Sequence, residues 1–503
     1  MSDATEPAPL SAATHPVIAG FYPDPTVCRV GDDYYLANSS FEYFPGAPLF
    51  HSRDLVRWEQ VGSVLDRRDQ FVEGQSRASA GIYGSTLRHH DGRFWFVTTN
   101  ANDFDAGQLI VHSDDPAGPW SDPVFVSGAV GIDPDLAWDD DGTCYLTWKA
   151  LQFGVGEFGI LQASLDLTSG QLLESPYPVW QGTGLGAAEG PHLYHVDQYW
   201  YLLLAEGGTE RGHAVTVARG SSPRGPFEAS PDNPVFTHRS TVHSVQNVGH
   251  ADLVSRPDGA WAAVYLGVRP HGSTPGFHVL GRETFLAGVT WDAGWPAFHE
   301  DSSPVPTADH SFTDDFSSEG LHHRWVSPAR EPDHIATRNE DGGITITGPD
   351  SNRSSMLCTR IRDLEWQANV LTQDRGEAIL RIDYRHWYGL SWTDGTVSAI
   401  ARIGDIEHTV ATSKTTGTTL TLTIESVPSP HLPVPLGHAG PDDIRLSFCA
   451  DGNTVVLAQL DGRYLSTEVA SGFTGRMLGI TSAGGQATYR SVSYRSRNTE
   501  TRA

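Results

Sequence analysis

No stretch of this 503-residue chain approaches the ~18 consecutive apolar residues that a membrane-spanning helix needs, so no membrane partner is expected. Its opening segment, MSDATEPAPLSAATHPVIAG, has neither a basic start nor an apolar stretch and does not read as a secretory leader. Cysteine is scarce. Cys28, Cys144, Cys358 and Cys449 lie far apart with no CxxC spacing, so each reads as a small core hydrophobe and a reducing cytoplasm as the setting. Positive charge is also short: 34 Lys and Arg stand against 61 Asp and Glu, a net charge of −27. Such a surface repels nucleic acid, so the expected partner is a neutral ligand, and association into a homo-oligomer is left open. Sustained helical periodicity is missing as well.

Short alternating apolar runs, bounded by Gly, Asp, Asn and Pro, fill the chain instead, and Gly (52), Pro (32) and Trp (14) are abundant. That pattern is all-β with many turns, and the length argues for two domains.

The run GFYPDPTVCRVGDDYYL, residues 20–36, clamps Asp24 between Pro23 and Pro25 at the head of an apolar strand. Alone it reads as a turn, but the pattern recurs. GSTLRHHDGRFWFV starts at Gly84, DPDLAWDDDGTCYL at Asp133, EGPHLYHVDQYWYLL at Glu189 and GHADLVSRPDGAWAAVYL at Gly249. Each has a small, polar or acidic head, an apolar strand, a turn on Asp or Gly and an aromatic-rich second strand. Heads roughly every 50 to 60 residues suit one four-stranded unit each, and five units make a five-bladed β-propeller.

In that architecture the innermost strands line one axis, so Asp24, Asp133, Glu189 and His250 converge although they are distant in sequence. The prolines beside Asp24 and Asp133 suit rigid presentation of a side chain. Grouped carboxylates suit glycosidic-bond hydrolysis, in which one is protonated to serve the leaving oxygen and another is ionised to activate water or attack the sugar. A third can raise the acid's pKa by repulsion. Phe41, Tyr43, Phe44 and Tyr83 are candidates to floor a sugar subsite, with packing between sheets as the alternative for each.

Several ordered motifs together resemble glycoside hydrolase family 43: FYPDP…GDDYYLANSSFEYFPGAPLFHSRDLVRW, GIDPDLAWDDDG, AAEGPHLYH, AEGGTERGHAV, NVGHADL and LGRETF. The resemblance implies an inverting hydrolase releasing terminal β-D-xylosyl or α-L-arabinofuranosyl units from plant oligosaccharides. It implies Asp24 as general base, Glu189 as general acid and Asp133 as the residue tuning Glu189. Arg282 resembles an arginine that reaches the bound sugar. His250 matches a histidine near the axis that in some relatives helps hold calcium or water, so a structural calcium there is an open expectation and no other cofactor is expected. Where relatives often carry Trp-Ala-Pro, this chain has Tyr83-Gly84-Ser85, which leaves the subsite's shape open.

The blade pattern ends near residue 300. The expected division is a flexible N-terminus at 1–15, a catalytic propeller at 16–300, a linker at 301–311 and a β-sandwich at 312–503. SGFTGRMLGITSAG resembles a segment that approaches the pocket, making Phe473 a candidate contact; a purely stabilising or carbohydrate-binding module is the alternative for this domain. Two further functions stay open. A non-catalytic sugar-binding propeller shares the aromatics without needing three acids. A retaining fructan hydrolase would need N-D-P-N and E-C motifs, neither of which is present.

Overall fold

The computed structural model describes residues 10–70, 77–152, 156–300, 304–305, 308–348, 353, 355–433, 437–482 and 484–497. Its described residues are almost entirely β, as the alternating runs require, and no helix among them is long and apolar enough to cross a membrane.

The first part of the chain forms five antiparallel sheets, each begun by one of the recurring heads. Their first strands are Thr26–Val30, Ile82–His90, Gly131–Trp138, Glu189–Val196 and Gln246–Ser255. Each sheet adds its strands outward in sequence order, because a short Asp- or Gly-centred turn can only return the chain beside the strand it has just left. The third sheet alone carries two strands, Gln171–Leu172 and Tyr177–Trp180, against its Gly156–Asp166 strand. Every first strand lies against the first strands of the sheets before and after it, and Gln246–Ser255 returns to Thr26–Val30, so the five close into a ring.

A buried ionic network ties that ring together. Arg88, from the second sheet, donates through Nη2 to Asp135 of the third (2.9 Å) and through Nη1 to Asp252 of the fifth (2.8 Å). Asp252 also accepts from the Thr26 hydroxyl of the first sheet (2.7 Å) and from the Tyr194 hydroxyl of the fourth (2.5 Å). Asp135 accepts from the backbone N–H of Leu193 (2.9 Å). Both carboxylates are fully buried. Burial is the largest influence and would raise the pKa of Asp252, but Arg88, His192 and the Tyr194 hydroxyl together outweigh it and hold it far below the usual range.

Closure is completed from the N-terminal side. Val17 N–H donates to Thr284 O (2.9 Å), and Gly20 N–H to Glu283 Oε1 (2.8 Å), in the fifth sheet's third strand. Residues 10–15 of the segment expected to be flexible join the fold, because Leu10–Ser11 pairs with Pro304–Val305 of the expected linker; residues 1–9, 301–303 and 306–307 lie outside the described residues.

The second part is two antiparallel sheets. One follows the order Ala336–Arg338, Ile344–Gly348, Gly485–Ser496, Trp366–Gln373, Thr419–Val427, Asp443–Ala450 and Asn453–Asp461; the other holds six strands from Met356–Arg360 to Ile406–Lys414. Trp366, Ala368 and Val370 alternate inward along one strand, and Leu420, Leu422 and Ile424 along its neighbour, making an apolar core between the sheets.

This unit packs directly on the first. Phe21, Phe41 and Tyr43 share one buried cluster with Val326, Met356, Cys358, Ile379, Trp387 and Met477. Arg360 and Arg362 donate across the seam to the carbonyls of Phe21 (2.8 Å) and Ala19 (3.1 Å). The backbones of Leu280–Gly281 and Gly475 are in van der Waals contact, so that a methyl on Gly475 would overlap Leu280 O.

Removing Arg88 would strand two buried carboxylates. Arg88→Ala is expected to lower stability by about 3–5 kcal/mol in chemical denaturation; a loss below about 1 kcal/mol would show that the network does not hold the ring.

Candidate active site

At the head of four of the five first strands the register slips. Irregularities fall between Ile82 and Ser85, Ile132 and Asp135, Glu189 and His192, and on both sides of Gly249. The backbone there turns left-handed: φ is 50° at Asp24, 53° at Asp133, 56° at Gly190 and 49° at His250. A residue preceding proline is normally driven to extended conformations, yet Asp24 and Asp133 both precede one. The prolines therefore flank a turned backbone rather than an extended one. The surrounding fold holds both aspartates against local preference, a strain of about 1–3 kcal/mol each, and at Asp133 the irregularity swings the carboxylate out of the sheet's alternation.

Asp24 is buried and fully engaged. Its Oδ1 accepts from Arg282 Nη1 (2.8 Å), and its Oδ2 from the Ser39 hydroxyl (2.7 Å) and Arg282 Nη2 (3.3 Å). His250 Nδ1 stands 3.5 Å from Oδ1. Burial is the largest influence and would raise the pKa of Asp24, but Arg282, His250 and Ser39 together outweigh it, and the carboxyl is held below its usual range. It is ionised at neutral pH.

Asp133 lies among the same neighbours. Its Oδ2 accepts from Gly190 N–H (3.1 Å), one residue past Glu189, and its pKa is raised by burial and by the Asp24 charge against the opposing pull of His250. Gly84 is what lets this carboxylate come so close to the second sheet, since a methyl there would overlap Asp133 Oδ1. Glu189 is partly exposed at the rim. Desolvation first, then repulsion from Asp133 and Asp24, push its carboxyl up to about 8 against Lys149 and Arg282, so it keeps its proton at neutral pH.

The expected aromatics divide. Phe41, Tyr83 and Phe473 form one group, with ring centres 5.1 Å apart for Phe41–Tyr83, 5.5 Å for Phe41–Phe473 and 6.0 Å for Tyr83–Phe473. The Arg282 guanidinium lies over Phe41 (5.5 Å) and Phe473 (5.4 Å), which puts this wall beside Asp24. Phe473 comes from the second unit, held by its N–H on the Ser79 hydroxyl (2.8 Å). Tyr43 and Phe44 are instead fully buried packing residues, one in the seam and one between the first two sheets, so they floor nothing.

His250 lies within the acid cluster, its ring close over Gly190, where a Cβ would be 3.1 Å from Nε2. It gathers no set of metal ligands: among the described residues, three His, Cys, Asp or Glu ligand atoms come together only at His238, His243 and Glu300. Calcium takes six to eight oxygens, and the carboxylate nearest His250, Asp24, is already held by Arg282. These side chains alone do not fit that ion.

Ser39, Thr209, Lys149 and His213 escape the sequence reading. Thr209 accepts from Arg282 Nη1 (3.1 Å), and His213, which donates to Asn247 O (2.8 Å), is pushed by burial down to about 4 and is neutral. Ser39, Thr209 and His213 lie inside motifs quoted from the sequence without being singled out there, whereas Lys149 lies outside them.

Comparison with known proteins follows the same division. The model of Glycosyl hydrolases family 43 matches residues 13–296, and that of the Beta xylosidase C-terminal Concanavalin A-like domain matches 313–494. A xylosidase/arabinosidase of Butyrivibrio fibrisolvens is 46% identical over 295 residues, 56% of each chain. A non-reducing end alpha-L-arabinofuranosidase of Bacteroides ovatus is 34% identical over 504 residues, 94% of this chain and 92% of that one. The crystal structure of a xylan beta-1,4-xylosidase from Bacillus halodurans superposes with a TM-score of 0.84 at 28% identity, covering 96% and 99% of the two chains.

Two outcomes follow from this geometry. Gly84→Ala is expected to displace Asp133 and lower activity on aryl pentosides by about 10²-fold with little change in melting temperature; full activity would remove the steric argument. A carboxyl whose pKa is raised on folding stabilises the fold below its unfolded value and loses that contribution as pH rises to its folded value. Glu189→Gln is therefore expected to become more stable relative to the parent between about pH 5 and about pH 8, read by thermal melts; an unchanged difference would mean that Glu189 is not protonated there.

Proposed function

The chain belongs to glycoside hydrolase family 43, and from that premise we propose that it is an inverting exo-glycosidase. Its substrates are xylan- or arabinan-derived oligosaccharides, from which it releases terminal β-1,4-D-xylosyl units, α-L-arabinofuranosyl units or both. The names of its relatives support both sugars. In this reading the five ringed sheets are the blades of a five-bladed propeller spanning 16–300, and residues 312–503 are a sandwich that closes one side of the pocket.

One observation carries the chemistry: among mutually interacting acids, the buried Asp24 is driven toward ionisation and the partly exposed Glu189 toward protonation. Asp24 takes a proton from water as that water attacks the anomeric carbon, and Glu189 gives its proton to the departing glycosidic oxygen on the opposite face. Asp133 acts as a positioning residue, keeping Glu189 protonated by repulsion and holding the Gly190 N–H. Arg282 keeps Asp24 charged while facing the aromatic wall of the sugar subsite. Glu189 ends ionised and Asp24 protonated, and exchange with solvent resets both. No step needs a cofactor, and a calcium ion beside His250 would be held mainly by water, outside these proton transfers.

The first-formed sugar from an aryl β-D-xyloside is expected to be the α anomer by NMR; a β product would overturn inversion. For kcat/KM, the rate should fall on the acid side as Asp24 protonates and on the alkaline side as Glu189 ionises near about pH 8, with Glu189→Gln losing the alkaline limb and about 10²–10⁴-fold in rate. Phe473→Ala is expected to raise KM by about tenfold with a smaller change in kcat; unchanged KM would take the second unit out of the pocket.

A further inference from the structure

Away from the acids, a loop and a strand end bring three other side chains together. His238 and His243 lie on the loop that enters the fifth sheet, and Glu300 follows that sheet's outermost strand, Trp295–His299. One ligand atom from each lies within 4.8 Å of the others.

The buried His238 carries the argument. Its Nδ1 faces the carbonyl of Val245 at 2.9 Å, and only an N–H can do so, which places the proton there. In the neutral ring Nε2 then presents a lone pair. This atom is buried, finds no hydrogen-bond partner, and stands 2.9 Å from the carboxylate Oε1 of Glu300. Two electron-rich atoms at that distance repel unless a proton or a metal cation is shared between them. An imidazole anchored to a backbone carbonyl by one nitrogen and aimed by the other is how proteins orient a metal-binding histidine.

Two imidazoles and one carboxylate are a donor set that zinc and similar borderline divalent ions take. The His243 ring stacks 4.1 Å from that of His238 and is exposed, so its side of the cluster is open to water. Behind Glu300, the Tyr265 hydroxyl at 3.4 Å and the stacked Phe236 and Phe298 rings form a packed wall. The loop is ordered by its own contacts: Thr241 donates to His238 O (2.6 Å) and Gln246 Nε2 to His243 O (2.8 Å).

We propose that His238, His243 and Glu300 bind one zinc-class divalent cation, which fastens the loop 237–245 to the end of the fifth sheet. The ion is structural and takes no part in glycoside cleavage.

The test strips the full chain with chelator and titrates ZnCl2 by calorimetry, with elemental analysis of the dialysed protein and a cobalt(II) absorption spectrum. The expected result is one zinc per chain and a higher melting temperature, with affinity reduced about tenfold or more in both His243→Ala and Glu300→Gln. Circular dichroism checks that the variants are folded; His243, being exposed, can be removed without touching a packed core. Absence of stoichiometric zinc would overturn the proposal and leave only a His238–Glu300 ion pair. Uptake undiminished in both variants would place the ion on other histidines and overturn it equally.

Discussion

The pairing of one arginine with two buried aspartates is the constraint on which the rest of the first unit depends. Arg88 reaches Asp135 and Asp252, and those carboxylates collect donors from the first and fourth sheets, so all five sheets meet in one buried ionic knot. Apolar packing between sheets is tolerant of sliding. A network of directional bonds in a low-dielectric interior is not, because any slip leaves a buried charge unpaired. The ring's registry is therefore fixed electrostatically, and the strand heads above the knot inherit that fixity.

Fixity is what the acids need. Asp24 and Asp133 sit in a backbone conformation that their own following prolines oppose. A loosely held loop would relax from it. Here the strain is sustained by the ring below and the seam beside it, and in return the carboxylates leave the plane of their sheets and meet. Once they meet, their environments separate them chemically: a guanidinium, an imidazole and a hydroxyl keep Asp24 charged, while desolvation, and then repulsion from Asp133 and Asp24, keep Glu189 neutral.

Much of this was legible in the sequence because it repeats. Five heads with the same grammar announced five sheets, and the acids stood out by sharing one position in that grammar. What stayed hidden lacked a repeat. Arg88 reads as an ordinary polar residue in GSTLRHH, and whether it points inward is settled only when a strand slip at Ile82–Ser85 is known. Tyr43 and Phe44 were legible as aromatics with packing as the alternative; for Tyr43 that choice is made by a seam whose residues lie some 280 to 430 positions later. The His238 cluster was invisible for the same reason: its third member lies beyond a whole sheet. Gly84 was noticed as the head of the second repeat and as part of a departure from Trp-Ala-Pro, whereas its missing side chain is the space that Asp133 occupies.

The bare contact between Gly475 and the Leu280–Gly281 backbone has an evolutionary corollary. Two main chains that touch without intervening side chains leave no slack to absorb a change on either side, and this touch lies between Arg282, which grips Asp24, and Phe473, which walls the pocket. Recombination that paired this N-terminal half with a foreign C-terminal half would disturb the spacing between those two residues at once. The halves are thus bound to be inherited and to drift together, although their folds are independent in kind.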